Sequence, residues 1–226
     1  FKAFGAKISG DKIILPKNNY QNDKTAEIWL SEPSVTATEN ALMLAALKTG
    51  KTTIRNAAWE PHVACLGLAL QKGGVKIKGL GTNFLEVLGI KNLKRTSHEL
   101  KEDFMELGSI LVLSAIFKGK IKVKVKEISD YKKIFEGFEK FGKKVINDSG
   151  HLRAVNKSNG VNGLKKHIQE ISDGPWPNFP SDLMSPMIIL ATQCQGQYLF
   201  HEKMFISILS SFLCFSFSIY VYFSLI

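Results

Sequence analysis

Cysteine and histidine are too sparse in this 226-residue sequence to indicate a disulfide framework or a metal site. The three cysteines, Cys65, Cys194 and Cys214, are odd in number and widely spaced. The five histidines are scattered without the spacing of metal ligands, so we expect neither a metal nor a cofactor. Because cysteine usage of this kind is typical of a reducing compartment, we predict a cytoplasmic protein.

Aromatic residues are missing from the most basic stretch of the chain, although the whole sequence carries a net charge of +10. A charge of this sign favours anionic partners such as nucleic acid, a membrane surface or phosphorylated small molecules. Over 118–126, five lysines alternate with one glycine and three aliphatic residues. Since single-stranded nucleic acids bind to interleaved basic and aromatic residues, we predict one exposed face of a strand here and no nucleic-acid partner.

Charged residues are absent from the last 21 residues, 206–226. An uncharged run of this length can span a bilayer. However, six serines dilute it, and its Phe, Ile, Val and Tyr residues favour strands. Two interpretations remain, a tail anchor and an aberrant C-terminus, and we favour the second because the run interrupts a repeat. The chain also lacks a starting Met and a signal-peptide pattern, so we expect an N-terminal portion to be missing.

A unit of roughly seventy residues recurs along the chain. Each copy begins with an apolar helix, predicted over 38–47, 107–117 and 182–193, and continues with a glycine and a strand. The glycines are 69 and 77 residues apart: Gly50, Gly119 and Gly196. In the first two copies a second, amphipathic helix and two short strands follow. The apolar helices should be buried and the amphipathic ones should lie nearer the surface, so we predict an α/β repeat fold with helices at its centre.

The stretch 174–184, GPWPNFPSDLM, joins a rigid loop to the third apolar helix. Three prolines hold this loop extended, because each fixes φ at about −65°. Asp182 follows at the first turn of the helix. Two roles fit a carboxylate there: an N-terminal cap that the helix dipole stabilises, or a catalytic group whose placement the loop fixes.

A second helix start, SVTATEN at 34–40, offers hydroxyl side chains and free backbone N–H groups. Such helix ends bind phosphate groups. The alternative is a capping box of Thr36 with Glu39, and either Thr36 or Thr38 is the predicted N-cap. The sequence leaves both interpretations open.

Four acidic residues precede the second apolar helix: Glu99, Glu102, Asp103 and Glu106. Carboxylates favour helix N-termini because the helix dipole stabilises negative charge there. The pattern therefore indicates a solvated turn rather than a site.

Five segments together resemble the UDP-N-acetylglucosamine enolpyruvyl transferases. They are SVTATENALMLAAL from residue 34, GKTTIRNAAWEPHV from 50, GVKIKGLGTNFLEVLG from 74, GPWPNFPSDLM from 174 and GQYLFHEKMF from 196. The enolpyruvylshikimate phosphate synthases share the repeat fold but match these segments less well. The resemblance implies two partial lobes, each an inside-out α/β barrel of βαβαββ units. Residues 1–101 would be the later part of the first lobe, 102–205 the first part of the second, and 206–226 a tail outside the family pattern.

The resemblance also implies a reaction. The enolpyruvyl group of phosphoenolpyruvate would pass to the 3-hydroxyl of UDP-N-acetylglucosamine with release of phosphate, the first committed step of peptidoglycan precursor synthesis. Asp182 would accept the hydroxyl proton as general base. Ser34 and Val35 would contact the uridine diphosphate, Met204 would contact the nucleotide sugar through its backbone, and Asp103 would face the substrate site where the lobes join.

The sequence departs from the family pattern at several points. Glu32 stands where a basic residue often faces the diphosphate, and Phe104 where an arginine is common. The family's lysine–asparagine pair and arginines for phosphoenolpyruvate, and its mobile loop with a reactive cysteine, would lie upstream of Phe1. We therefore predict that this chain alone does not turn over substrate. Two other functions remain open. One is a catalytically dead, membrane-anchored binding or structural protein, and the other is a sibling enzyme that acts on another acceptor such as shikimate 3-phosphate.

Overall fold

The chain forms two compact units, Phe1–Lys101 and Glu102–Ile226. The structure, a computed structural model, describes residues 2–14, 25–126, 128, 131–157, 167–204 and 221–224. Each unit has a hydrophobic core of its own, built from helices packed on strands.

The first unit combines a hairpin with a four-stranded sheet and its helices. Strands β1 (Lys7–Ser9) and β2 (Lys12–Ile14) form the antiparallel hairpin. There follow β3 (Ala26–Trp29), α1 (Val35–Leu47), β4 (Gly50–Arg55), α2 (Pro61–Lys72), β5 (Lys76–Lys78) and β6 (Phe84–Gly89). The sheet has the order β3-β4-β6-β5, in which β3 and β4 are parallel and the other pairs antiparallel. This succession is one whole βαβαββ unit.

Helix α1 is buried on one side only. Leu42 and three alanines on that side have little or no exposure, and a Cβ at Gly89 would overlap the carbonyl oxygens of Ala45 and Lys48. A glycine is therefore needed where β6 ends against this helix. On the other side, Met43 and Leu47 are exposed. The prediction of a buried helix is thus confirmed for the packed side and wrong for the side that bears these two residues, which no described neighbour covers.

The second unit is built around two sheets. Its described elements are α3 (Phe104–Ile116), β7 (Val123–Lys124), α4 (Lys132–Glu139), β8 (Lys143–Asp148), β9 (His151–Asn156), β10 (Ile168–Ser172), α5 (Met184–Thr192), β11 (Gln197–His201) and β12 (Val221–Ser224). Strands β7, β9 and β8 pair antiparallel in that order, and β10, β11 and β12 pair in parallel. A 3-10 turn, Ser181–Leu183, leads directly into α5.

Most of the predicted elements are confirmed, with shifted ends. Helices α1 and α3 begin three residues earlier than predicted, because Ser34 and Asp103 cap them. Two strands of four and five residues, β3 and β10, were missing from the predicted repeat. Each lies parallel to the strand that follows the next helix, so each opens a βαβ crossover.

The predicted strand over 120–126 is shorter in the structure, because a hydroxyl interrupts its ladder. Ser114 lies buried on α3, donates to the Ile121 carbonyl (2.6 Å) and accepts from the Ala154 amide (3.0 Å). In the register of β7 with β9, Ile121 and Ala154 would face each other, and the hydroxyl bridges them instead. The lysine side chains of this stretch are exposed, as predicted.

The prediction for 206–226 concerns residues outside those described, apart from β12. This strand pairs in parallel with β11. Among the described ranges, no helix has both the length and the apolar character needed to cross a membrane.

Candidate functional site

The start of α1 presents a serine cap and unpaired backbone amides. Ser34 Oγ accepts from the Ala37 amide (3.3 Å), and the Ser34 amide itself donates to the Glu32 carbonyl (2.8 Å). No described residue accepts from the amides of Val35 and Thr36. The Ser34 hydroxyl also lies 3.4 Å from Thr36 Oγ1, a contact in which either oxygen can donate, so its hydrogen can point to Thr36 or to an anion.

The predicted capping box of Thr36 with Glu39 is wrong, and so is the choice of Thr36 or Thr38 as N-cap. Thr38 lies inside the helix and is fully buried. Its hydroxyl donates to the Ser34 carbonyl (2.7 Å) and accepts from the Ala58 amide (2.8 Å). Thr38 therefore ties the start of α1 to the segment that follows β4, and Ser34 is left to cap.

Asp103 caps α3 in the second unit. Its Oδ1 accepts from the amides of Met105 (2.7 Å) and Glu106 (3.4 Å). The side chains of Asp103 and Glu106 are exposed, in agreement with a solvated turn favoured by the helix dipole. The next residue, Phe104, is buried, and its ring centroid lies 5.7 Å from that of Trp176 in the proline-rich loop.

The loop before Asp182 is closed by its own backbone. The Gly174 amide donates to the Phe179 carbonyl (3.1 Å), and the Asn178 amide donates to the Pro175 carbonyl (3.0 Å). Phe179 is buried, and it lies against α4 at Gly137, where a Cβ would lie 2.6 Å from its ring. The loop is therefore closed by a turn and anchored at Phe179, whereas the prolines predicted a backbone that stays extended.

Asp182 is the middle residue of the 3-10 turn. Its neighbours Ser181 and Leu183 are buried, whereas Asp182 is exposed. No side-chain cap is formed at the start of this turn or of α5. Within the described part of the chain, the Asp182 carboxylate has no hydrogen bond or ion pair. A fixed backbone thus presents a carboxylate whose oxygens are available to accept a proton.

Met204 follows strand β11 and is 40% exposed. The preceding residue is held by a buried carboxylate, because the Lys203 amide donates to Asp173 Oδ1 (2.6 Å). Asp173 is the residue between β10 and the proline-rich loop, so the segment before Met204 and the base of that loop are joined.

Strand β11 contains a buried tyrosine, Tyr198. The Tyr198 side chain is fully buried, and its ring stacks on Phe141 with centroids 4.8 Å apart. Its hydroxyl donates to the Gln195 carbonyl (3.2 Å). Burial, with a smaller contribution from the nearby Cys194 thiol, raises the pKa of Tyr198 far above its ordinary value. The tyrosine is therefore a neutral packing residue.

Three of the five predicted site residues lie on segments of the second unit that contact one another. The segment after Asp103 packs on the segment that carries Asp182 through two pairs, Phe104 with Trp176 and Gly108 with Leu183. Met204 is connected to the same loop through Asp173. Ser34 and Val35 belong to the first unit. The sequence did not predict the observed roles of Thr38 and Asp173, since these depend on burial and on contacts between residues distant in sequence.

Comparison with known proteins agrees with this fold. A solved structure of the enolpyruvyl transferase NikO from Streptomyces tendae matches with a TM-score of 0.70 at 15% identity, over 93% of this chain and 52% of that one. The predicted enolpyruvyl transferase fold is confirmed. The family model of EPSP synthase (3-phosphoshikimate 1-carboxyvinyltransferase) matches residues 1–209. The chain belongs to the EPSP synthase family.

Within this family the chain is similar to proteins named UDP-N-acetylglucosamine 1-carboxyvinyltransferase, as its motifs predicted. The protein of Treponema denticola is 44% identical over 79% of this chain and 42% of its own length. That of Borreliella burgdorferi is 40% identical over 89% of this chain and 47% of its own length, and that of Bacteroides thetaiotaomicron 37% over 78% and 41%. The chain thus spans less than half the length of these relatives.

Proposed function

We propose that this chain is part of a UDP-N-acetylglucosamine 1-carboxyvinyltransferase. Such an enzyme transfers the enolpyruvyl group of phosphoenolpyruvate to the sugar 3-hydroxyl and releases phosphate, in the cytoplasm, for peptidoglycan synthesis. The two units then correspond to the later part of one lobe and the first part of the other. The names of the relatives at 37–44% identity support this assignment.

The exposed Asp182 carboxylate carries the proposal. It has no partner among the described residues, and buried neighbours on both sides fix its backbone. A general base needs an accessible oxygen held at a fixed position. In the proposed reaction, Asp182 takes the proton of the 3-hydroxyl while the sugar oxygen adds to C2 of phosphoenolpyruvate and the methylene carbon gains a proton. The adduct then loses a proton from that methyl group as the C–O bond to phosphate breaks, which restores the double bond.

The start of α1 is the proposed contact for the uridine diphosphate. Helix N-termini attract phosphate because their amides point outward and the helix dipole is positive there. At this helix no described residue accepts from the amides of Val35 and Thr36, and the Ser34 hydroxyl can turn its hydrogen from Thr36 toward a phosphate oxygen. Glu32 is exposed two residues before the cap and opposes this attraction, so we expect weaker diphosphate binding than a lysine there would give.

In the second unit, Met204 and Asp103 are the proposed contacts for the sugar end of the substrate. Met204 would act through its backbone, which does not depend on the side chain present. Asp103 already accepts two amides through Oδ1, and its Oδ2 is the oxygen that remains for a hydroxyl.

Calorimetric titration tests the substrate class. We expect the purified chain to bind UDP-N-acetylglucosamine and to give no heat with shikimate 3-phosphate. Asp182→Asn should retain the binding, because a general base contributes to the transition state more than to ground-state affinity. Ser34→Ala should weaken it.

Other outcomes would contradict the proposal. Binding of shikimate 3-phosphate alone would assign the chain to a sibling enzyme. Absence of heat with both ligands, from a chain whose helix content and cooperative unfolding are normal, would remove the enzyme assignment. Recovery of the chain in a membrane pellet, reversed by deletion of 206–226, would support the anchored binding protein instead.

A further inference from the structure

One buried carboxylate in the second unit joins two segments that carry proposed site residues. Asp173 is the residue after β10 and is only 3% exposed. Its Oδ1 accepts from the Lys203 amide (2.6 Å), and no described residue donates to the buried Oδ2. Carboxylates are rarely buried to this degree without a specific partner, so the single bond to Lys203 is the described interaction that explains its position.

On one side, Asp173 holds the segment after β11. Its own amide donates to the His201 carbonyl (3.3 Å), and its carboxylate accepts from the amide two residues further on. The backbone and the side chain of Asp173 thus each form a hydrogen bond to the segment 201–203. The next residue, Met204, is exposed. Its backbone follows directly after this restrained segment, so we expect its position relative to the end of β10 to be fixed.

On the other side, Asp173 forms the base of the proline-rich loop. It pairs with Phe179 in an isolated parallel bridge, and the adjacent Gly174 amide donates to the Phe179 carbonyl (3.1 Å). Two residues after Phe179, the 3-10 turn begins that carries Asp182. The end of the loop at Phe179 therefore pairs with Asp173, shortly before the candidate base Asp182.

We infer that Asp173 is a positioning residue that sets the Met204 backbone relative to the loop carrying Asp182. It contacts both segments and is itself too buried to touch a substrate in this conformation. The inference rests on the proposed function for the identity of the ligand, UDP-N-acetylglucosamine, but not for the coupling of the two segments. In that coupling, the hydrogen bond from the Lys203 amide to Asp173 Oδ1 keeps the Met204 backbone at a fixed position relative to Asp182.

The geometry distinguishes two substitutions. Asp173→Asn keeps an amide oxygen in the place of Oδ1 and loses no described bond, because Oδ2 accepts none. Asp173→Ala removes the acceptor and leaves the Lys203 amide without its partner. Asparagine nearly matches aspartate in size, so its rescue of binding is read together with the exchange of the Lys203 amide, which a purely space-filling role would leave unchanged in Asp173→Ala.

The experiment measures the Lys203 amide and the ligand affinity in the full 226-residue chain. In the wild-type chain, the Lys203 amide proton should resonate downfield and exchange slowly, because it donates to a carboxylate. Asp173→Ala should speed its exchange and weaken UDP-N-acetylglucosamine binding, each about tenfold. Asp173→Asn should return both to within about threefold of wild type, with the amide signal moved upfield. Asp148→Ala, which changes an exposed aspartate in the β8–β9 hairpin, is the matched control and should change neither.

Each alternative result decides the inference. A Lys203 amide that exchanges rapidly in the wild-type chain, or equal affinity in wild type and Asp173→Ala, would overturn it. So would an asparagine variant as weak as the alanine one. If Asp173→Ala does not fold, the wild-type and Asp173→Asn amide signals decide, and an identical Lys203 shift in both is then the overturning result. If the wild-type chain binds no nucleotide sugar, the proposed function fails, and the exchange of the Lys203 amide alone tests the coupling.

Discussion

Leu183 packs directly on Gly108. A Cβ at Gly108 would lie 2.5 Å and 2.8 Å from the two terminal carbons of the Leu183 side chain, which is 1% exposed. Leu183 follows Asp182 in the 3-10 turn, so this contact fixes the backbone next to the candidate base against α3. The glycine is the reason that the turn can approach so closely.

Gly108→Ala should destabilise the second unit. The added methyl overpacks a buried contact, which costs about 1–3 kcal/mol, while alanine is the better helix former by about 1 kcal/mol. We therefore expect a small net loss in the free energy of unfolding, measured by urea denaturation. Ser109→Ala, one position along the same helix and partly exposed, is the control. A variant at 108 more stable than wild type would show that Leu183 moves aside without cost.

Thr38→Val should loosen the start of α1. The substitution keeps the shape of the side chain but removes the hydroxyl that donates to the Ser34 carbonyl and accepts from the Ala58 amide. Leaving a buried amide unpaired costs about 1–3 kcal/mol. Urea denaturation should show this loss, and Thr36→Val, at an exposed threonine of the same helix, should stay within about 0.5 kcal/mol of wild type. Equal effects of the two substitutions would contradict the bridging role of Thr38.

The repeat of apolar helices was predictable because each run of apolar residues is long and ends at a glycine. The starts of α1 and α3 were not, since several hydroxyl and acidic residues precede each helix and all are chemically fit to cap it. Burial decides between them. Thr38 is drawn into the interior by its contact with Ala58, a residue 20 positions away, and Ser34 becomes the cap.

The candidate site was predictable only where a local motif carries it. Asp182 stands out because prolines on one side and an apolar run on the other frame it. Asp173 is not recognisable in this way, because its partner is the Lys203 amide, 30 residues away and just after the parallel strand β11. Such a pairing leaves no periodic signal, and β10 itself, five residues long, is too short to be recognised by alternation.

Tyr198 should make the second unit sensitive to alkaline pH. Its pKa is raised above the ordinary value of 10.0 by burial, so the folded state keeps the proton that the unfolded state loses. Its contribution to stability is therefore fully present below about pH 10 and declines as the pH rises from there toward the folded pKa. The free energy of unfolding, compared at pH 8 and pH 11, should fall less in Tyr198→Phe than in wild type.

A matched change separates this titration from packing. Phe141→Leu alters the stacked neighbour of Tyr198 without removing a titrating group. It should lower stability at both pH values and keep the wild-type dependence on pH. At pH 8, Tyr198→Phe should cost about 1 kcal/mol, the value of the lost hydrogen bond to Gln195. A pH dependence unchanged by Tyr198→Phe would assign the alkaline loss to another group.

Asp182→Asn should abolish turnover while ligand binding persists. The test is a chimera in which the matched segment of this chain replaces its counterpart in the Treponema denticola relative, with phosphate release as the readout. Removal of a general base lowers kcat by about 10²–10⁴-fold, whereas asparagine keeps the size of the side chain and should leave the Kd for UDP-N-acetylglucosamine within about threefold. Asp148→Asn, exposed and paired with Lys122 in the β8–β9 hairpin, should retain full turnover. Because the Asp182 carboxylate makes no hydrogen bond or ion pair among the described residues, its substitution should not unfold the chain. A chimera with more than a tenth of wild-type kcat would show that another group takes the proton.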